Sequence, residues 1–172
     1  DEDLAPFPRT IYSVKKNRQE YFALISYMDM QIGKIIDALI ETKQIDNTVI
    51  IFTSDHGLSC GQHGLMGKQN MFEHSMKPPL IISGPGFTKG KTIKTPVYLQ
   101  DIMPTTLELA QVPIPNNIAF KSLLPVIKGK QSYSSIYGAY KDKQRMIRKN
   151  DFKLVWYPEP ETYLLFDLLK DP

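Results

Sequence analysis

Asp55 and His56 stand side by side at the end of a short apolar run and are followed at once by Gly57. Residues 49–52 are Val, Ile, Ile and Phe, the composition of a strand buried on both faces. The acid and the imidazole are therefore expected at a strand's carboxyl end. In open α/β sheets the loops leaving those ends converge on one crevice, and ligands bind there. An anionic oxygen beside an imidazole nitrogen at such a point suits metal ligation. Gly57 would relax the backbone so that two adjacent side chains turn toward one ion, which a regular strand forbids by sending them to opposite faces. The plainer alternative is an N-cap aspartate with an exposed histidine, because Asp close to Gly is also a common turn signal.

The other two histidines are His63 and His74, and Lys68 shares the stretch Gly61-Gln-His-Gly-Leu-Met-Gly-Lys68 with the first of them. A cation, an imidazole and a metal pair converging on one crevice would form an anion site. Such a site suits a sulfate or phosphate ester, whose charge grows on the leaving oxygen. Each residue also has a blander reading: His63 as a surface loop residue, His74 as a structural hydrogen-bonder beside Glu73, and Lys68 as a solvated charge. Cys60, in Ser59-Cys60-Gly61, has no paired base and is not read as a nucleophile.

The elements that must position these groups can be read in chain order. Residues 14–42 repeat apolar side chains at i, i+3, i+4 and i+7, from Tyr21, Leu24, Ile25 and Met28 to Ile32, Ile35, Ile36, Leu39 and Ile40, which predicts one long amphipathic helix with its stripe in the core. Helix followed by buried strand is half of an α/β repeat. Residues 58–70 are polar and aperiodic and read as a long loop over the crevice. Residues 71–76 predict a helical turn, 78–86 a second short buried strand, and 91–99 an extended segment. A helix is expected over 101–110, with Asp101 as N-cap and Pro104 in its first turn. The proline-punctuated stretch 112–117 reads as a linker, giving a division into 1–117 and 118–172. Beyond it, runs at 135–140, 145–148, 152–157 and 163–168, rich in aromatic and β-branched residues, predict a small antiparallel meander, with Trp156 and the tyrosines on its packing face.

Composition supports an ordinary globular chain: 172 residues, 42% hydrophobic and 23% charged, with a net charge of +3. Lysine and arginine are scattered apart from a concentration at 141–149, so a nucleic-acid partner is not implied. No apolar run is long enough to span a bilayer. One cysteine excludes an internal disulfide.

The ordered series Ile51-Phe-Thr-Ser-Asp-His-Gly57, Gly61-Gln-His-Gly-Leu-Met-Gly-Lys68 and Phe72-Glu-His-Ser-Met-Lys-Pro-Pro-Leu-Ile-Ile-Ser-Gly-Pro-Gly86 resembles the carboxy-terminal half of the formylglycine-dependent sulfatases. Tyr21-Phe-Ala-Leu-Ile-Ser-Tyr-Met-Asp-Met-Gln-Ile-Gly33 is similar to the family's long helix, and Leu165-Phe-Asp-Leu-Leu-Lys-Asp-Pro172 to its closing strand. The resemblance implies an α/β fold, with part of an alkaline-phosphatase-like sheet flanked by helices and then a small antiparallel sheet. It implies Asp55 and His56 as ligands of a Ca²⁺ ion, Lys68 as a catalytic contact to the sulfate, and His63 as a further substrate contact. Imidazole on its own chemistry would suit zinc or manganese better than calcium. The substrate implied is a sulfated small molecule or glycan, and the location periplasmic or secreted, in a bacterial enzyme. The family's nucleophile, a formylglycine made from Cys or Ser in a Cys/Ser-x-Pro/Ala-x-Arg motif, and its early Asp-Asp pair are both absent from this sequence. The chain is accordingly expected to be a carboxy-terminal fragment, inactive by itself. The alternatives are a phosphate-ester hydrolase of the same superfamily, or a non-catalytic module that binds through the loop 58–70.

Overall fold

A computed structural model describes residues 4–5, 7–130 and 133–170. Asp1, Glu2, Asp3 and Pro6 of the acidic lead-in, and Asp171 and Pro172 of the closing run, lie outside the described residues. The fold is α/β, in two compact units, residues 1–90 and 91–172. The stretch 112–117 lies within the second unit.

In the first unit, helix α1 (Ile11–Glu41) begins at Thr10, whose hydroxyl accepts the Ser13 N–H at 3.2 Å as an N-cap. No proline interrupts its 31 residues, and the chain leaves it through Thr42 and Lys43, the latter at φ 57°. The apolar spacing thus finds its helix, but the expected core burial does not follow, because no α1 residue is buried. No helix among the described residues is long and apolar enough to cross a membrane.

Strand β1 (Ile50–Thr53) follows a short 3-10 turn, and a two-residue hairpin, β2 (Ser59–Cys60) against β3 (Met66–Gly67), follows β1. This hairpin replaces the irregular loop expected at 58–70. The Ser59 hydroxyl holds it, lying 3.1 Å from the carbonyl of Gln62 and 3.0 Å from that of Leu65. Helix α2 (Glu73–Met76) is the expected helical turn. Strand β4 (Leu80–Ser83) then pairs antiparallel with β1, Ile50 opposite Ser83 and Thr53 opposite Leu80. The second strand is thus shorter than expected and covered on one face, since Ile81 is exposed while Leu80 and Ile82 are half-buried. Gly84 ends it at φ +133°, where a Cβ would come within 2.5 Å of the Thr48 carbonyl oxygen and 2.8 Å of the Val49 Cα. No other residue fits that approach.

In the second unit, a 3-10 turn at Leu99–Asp101 runs into α3 (Ile102–Leu109), and α4 (Leu124–Ile127) follows. Asp101 occupies the N-cap position of α3 but makes no cap bond there. Its carboxylate reaches back instead to the N–H of Tyr98 at 2.9 Å, and outward to the N–H of Lys121 at 3.1 Å and the hydroxyl of Tyr133 at 2.6 Å. Thr105 extends the network, donating to the Asp101 carbonyl at 2.6 Å and accepting the Leu123 N–H at 2.8 Å. Asp101 and Thr105 are completely buried, so all three donors to the carboxylate replace water it has lost. Burial first, and then the Asp101 hydrogen bond, push the Tyr133 phenol up to about 12.

The expected meander forms a four-stranded antiparallel sheet in sequence order, β5 (Ile136–Tyr140), β6 (Gln144–Lys149), β7 (Phe152–Tyr157) and β8 (Thr162–Asp167). Met146 and Val155, opposite one another in register, are buried on one face. Trp156 stacks on Tyr163 across β7 and β8, ring centroids 6.0 Å apart and 4° from parallel.

Candidate active site

The turn after β1 holds the Asp55–His56 pair in one arrangement. One carboxylate oxygen of Asp55, Oδ1, accepts the N–H of His56 at 3.0 Å, while the Ser54 hydroxyl, 3.3 Å from Oδ1, lies closer to the carbonyl of His56 at 2.8 Å. That leaves Oδ2 turned toward the imidazole, 3.2 Å from Nε2 of His56. The other ring nitrogen, Nδ1, lies 2.8 Å from the carbonyl of Gly57. A carbonyl only accepts, so Nδ1 carries a proton where it meets Gly57, and Nε2 is the ring nitrogen that faces the carboxylate. Two lone pairs at that distance repel unless a proton or a metal ion lies between them. Metal-ligating histidines typically donate their second ring N–H to a backbone carbonyl or carboxylate in this way.

The spacing suits one ion. Two donors each about 2.4 Å from a calcium and about 90° apart would sit about 3.4 Å from each other. The Asp55 side chain is 82% exposed and His56 35%, so the pair opens outward. Among the described residues no group of three or more His, Cys, Asp or Glu could hold a metal ion. The pair therefore fits part of a coordination sphere, since Ca²⁺ takes six to eight oxygens.

Gly57 acts differently from its expected role as a flexible joint. Its φ is not in the left-handed region, and what it provides is room. A Cβ there would overlap the carbonyl oxygen of His74 and lie 2.9 Å from its carbonyl carbon, while the Gly57 N–H donates to the Ser75 carbonyl at 2.9 Å. Backbone thus presses on backbone, fixing α2 against the turn that carries the pair. Gly57→Ala is expected to cost about 1–3 kcal/mol of stability through overpacking, read as a lower urea midpoint at unchanged slope.

Lys68 lies immediately after β3 and is exposed. Its carbonyl accepts the Asn70 N–H at 2.8 Å, and the Asn70 side chain accepts the Phe72 N–H at 3.1 Å, so a defined turn joins it to α2. His63, exposed and at φ 52°, stacks on Phe72 with centroids 4.4 Å apart and 18° between planes. His74 lies on the same tier, 5.8 Å from Phe72 and 5.7 Å from His63. The structure therefore brings Asp55 to His56 and His63 to Phe72 and His74, as two separate groupings. Burial pushes the Cys60 thiol up, against an opposing pull from Arg18, which disfavours the thiolate a nucleophile needs. Ser54 and Phe72 were not singled out in the sequence. A hydroxyl just before the acid at the strand end was the only available sign of the first, and nothing local marked the second.

The family model described as Sulfatase matches residues 3–112, and that described as N-sulphoglucosamine sulphohydrolase, C-terminal, matches 61–172. The choline-sulfatase of Rhizobium meliloti is 36% identical over 99% of this chain and 34% of its own length. Arylsulfatase K of Bos taurus is 33% identical over 92% of this chain and 32% of its own. A protein solved in complex with its substrate D-glucosamine-2-N,6-O-disulfate superposes with a TM-score of 0.87 at 28% identity, over 99% of this chain and 37% of that one. A phosphonate monoester hydrolase from Silicibacter pomeroyi gives a TM-score of 0.84 at 28% identity, over 98% and 37%. The chain spans about a third of the length of the curated relatives it matches.

Proposed function

We propose that this chain, which belongs to the sulfatase family, supplies a sulfate-ester hydrolase with half of a cation site and one anion contact. The observation that carries this reading is the Asp55 Oδ2 to His56 Nε2 approach at 3.2 Å, with Nδ1 secured on the Gly57 carbonyl. Asp55 and His56 would hold a calcium ion, which when bound lends positive charge to the sulfate oxygens. The His56 N–H keeps Oδ1 engaged so that Oδ2 points at the ion. Lys68, which follows Gly67 at the open end of the hairpin, would bind a sulfate oxygen, and His63, on its Phe72 base, would contact the rest of the substrate.

Formylglycine has no place among these residues. Cys60 is followed by Gly61, Gln62 and His63 rather than by the Pro or Ala and the Arg of the family motif, and its thiol is disfavoured as thiolate. The nucleophile and the remaining metal ligands are assigned to polypeptide outside these 172 residues. The purified chain is expected to release no sulfate from an aryl sulfate. Turnover above a Cys60→Ala control would overturn both the fragment reading and the placement of the nucleophile.

The cation site has its own test. In the complete enzyme, Asp55→Asn replaces an anionic oxygen by a neutral amide at a hard ion and is expected to weaken calcium binding at least tenfold by calorimetry. Equal affinities would remove Asp55 from the ligand set. The likeness to a phosphonate monoester hydrolase favours a second reading, hydrolysis of a phosphorus ester at the same tetrahedral anion site. Metal analysis separates the two, two zinc ions favouring phosphorus chemistry and one calcium ion the sulfate.

A further inference from the structure

His63 stands at the tip of the β2–β3 hairpin at φ 52°, between Gly61 at φ +103° and Gly64 at φ +70°. A histidine persists in the left-handed region only where its surroundings over-determine it, and such residues gather at functional sites. The hairpin supplies part of that hold. The Gly64 N–H donates to the Gly61 carbonyl at 3.1 Å, and the Gly61 N–H to the Leu65 carbonyl at 2.8 Å.

Another part comes from 55 positions upstream. Nη1 of Arg9 donates to the Gly64 carbonyl at 3.1 Å, while Nη2 of the same guanidinium lies 3.5 Å from the carbonyl of the buried Ala5. The guanidinium also lies over the Phe7 ring, 4.5 Å from its centroid. Its planar fork is thus anchored on the lead-in to α1 as well as on the hairpin. Helix α1 seats the hairpin's other side, since a Cβ at Gly61 would lie 2.6 Å from Cγ1 of Val14. His63 is therefore held between two tied neighbours, and a return to an ordinary φ would carry the Gly64 carbonyl off Arg9. What the held conformation achieves is the stack on Phe72, centroids 4.4 Å apart and 18° between planes.

We infer that Arg9 is a positioning residue for His63, gripping the hairpin tip so that the imidazole stays on Phe72 and meets the substrate already oriented. Arg9 acts through His63 and needs no contact with substrate. The consequence for turnover rests on the substrate contact proposed for His63 above, whereas the grip itself does not. Preorganisation spares the cost of ordering a side chain on binding. The effect should therefore fall on KM, because His63 is placed against the part of the substrate that does not react.

The test has two readouts, both in the complete enzyme. With ¹³C-labelled histidine, the His63 resonance, assigned by its loss in His63→Ala, is shifted upfield by the Phe72 ring beneath it. Arg9→Ala should move it toward the position of free histidine. Arg9→Met, which keeps an apolar stem over Phe7 but donates no hydrogen bond, should do the same and carries the test if Arg9→Ala does not fold. An unmoved resonance in either folded variant would overturn the inference. In steady-state kinetics Arg9→Ala should raise KM about 3- to 10-fold, the worth of one hydrogen bond, with kcat within about twofold, and should add nothing to His63→Ala. Equal effects with and without His63 would also overturn it, by showing that Arg9 acts elsewhere. A parental KM in His63→Ala would instead sink the substrate contact, and the resonance then decides for Arg9 by itself.

Discussion

Lys68→Ala in the complete enzyme is expected to lower kcat by about 10²–10³, the loss typical of removing one fixed donor from a developing anion, while KM changes little. The reasoning begins with charge. Sulfuryl transfer builds negative charge on the departing oxygen and redistributes it over the sulfate, so a cation held beside that group gains most in the transition state. The hairpin and the turn through Asn70 hold the Lys68 backbone in place, so little reorganisation is needed at the moment of reaction. Steady-state kinetics give the answer. An unchanged kcat with a raised KM would show that Lys68 binds ground state and transition state alike.

Asp101→Ala is expected to destabilise the second unit by about 3–5 kcal/mol, because it removes a fully buried carboxylate and takes the acceptor from three part-buried donors. Two of those donors are main-chain N–H groups, of Tyr98 and Lys121, and the third is the Tyr133 hydroxyl. The carboxylate thereby pins two segments distant in sequence, at Lys121 and Tyr133, onto the start of α3. Urea titration of the 172-residue chain measures the loss, and a change under about 1 kcal/mol would mean that water replaces the carboxylate. An alkaline arm follows from Tyr133. Its phenol is raised in the folded state from 10 to about 12, so its contribution is whole below pH 10 and is lost as pH rises toward 12. Tyr133→Phe should flatten that decline.

What the sequence revealed depended on how local the cause was. The 3.6-residue period of α1, the β-branched run of β1 and the four short runs of the meander all reflect neighbours a few positions apart, and each element appeared where its pattern lay. The position of Asp55 and His56 at a strand end was likewise visible. The hairpin at β2 and β3 was not, because a side-chain hydroxyl on Ser59 defines it, with no periodicity to betray it. Asp101 looked like an N-cap, yet partners up to 32 positions away decide where its carboxylate goes. The space that Gly57 leaves for the His74 carbonyl is another long-range fact, and no local pattern encodes it. The burial expected along α1 failed for the opposite reason, since periodicity announces a face but not whether anything in the same chain covers it.

The two sheets also differ in what it takes to assemble them. Each strand from β5 to β8 pairs with the next in sequence, and only residues 141–143 intervene between paired Tyr140 and Gln144. Between Thr53 and its partner Leu80, residues 54–79 must first be looped out. Closing the longer loop costs about 2 kcal/mol more in chain entropy, and slow folding tracks such sequence separation. A ribosome delivers these segments in the reverse order of their ease, with β1 emerging long before β8. The segment bearing Asp55 and His56 thus waits longer for its partner strand during synthesis than any strand of the meander waits for the next, and its apolar run 49–52 offers a chaperone something to hold meanwhile.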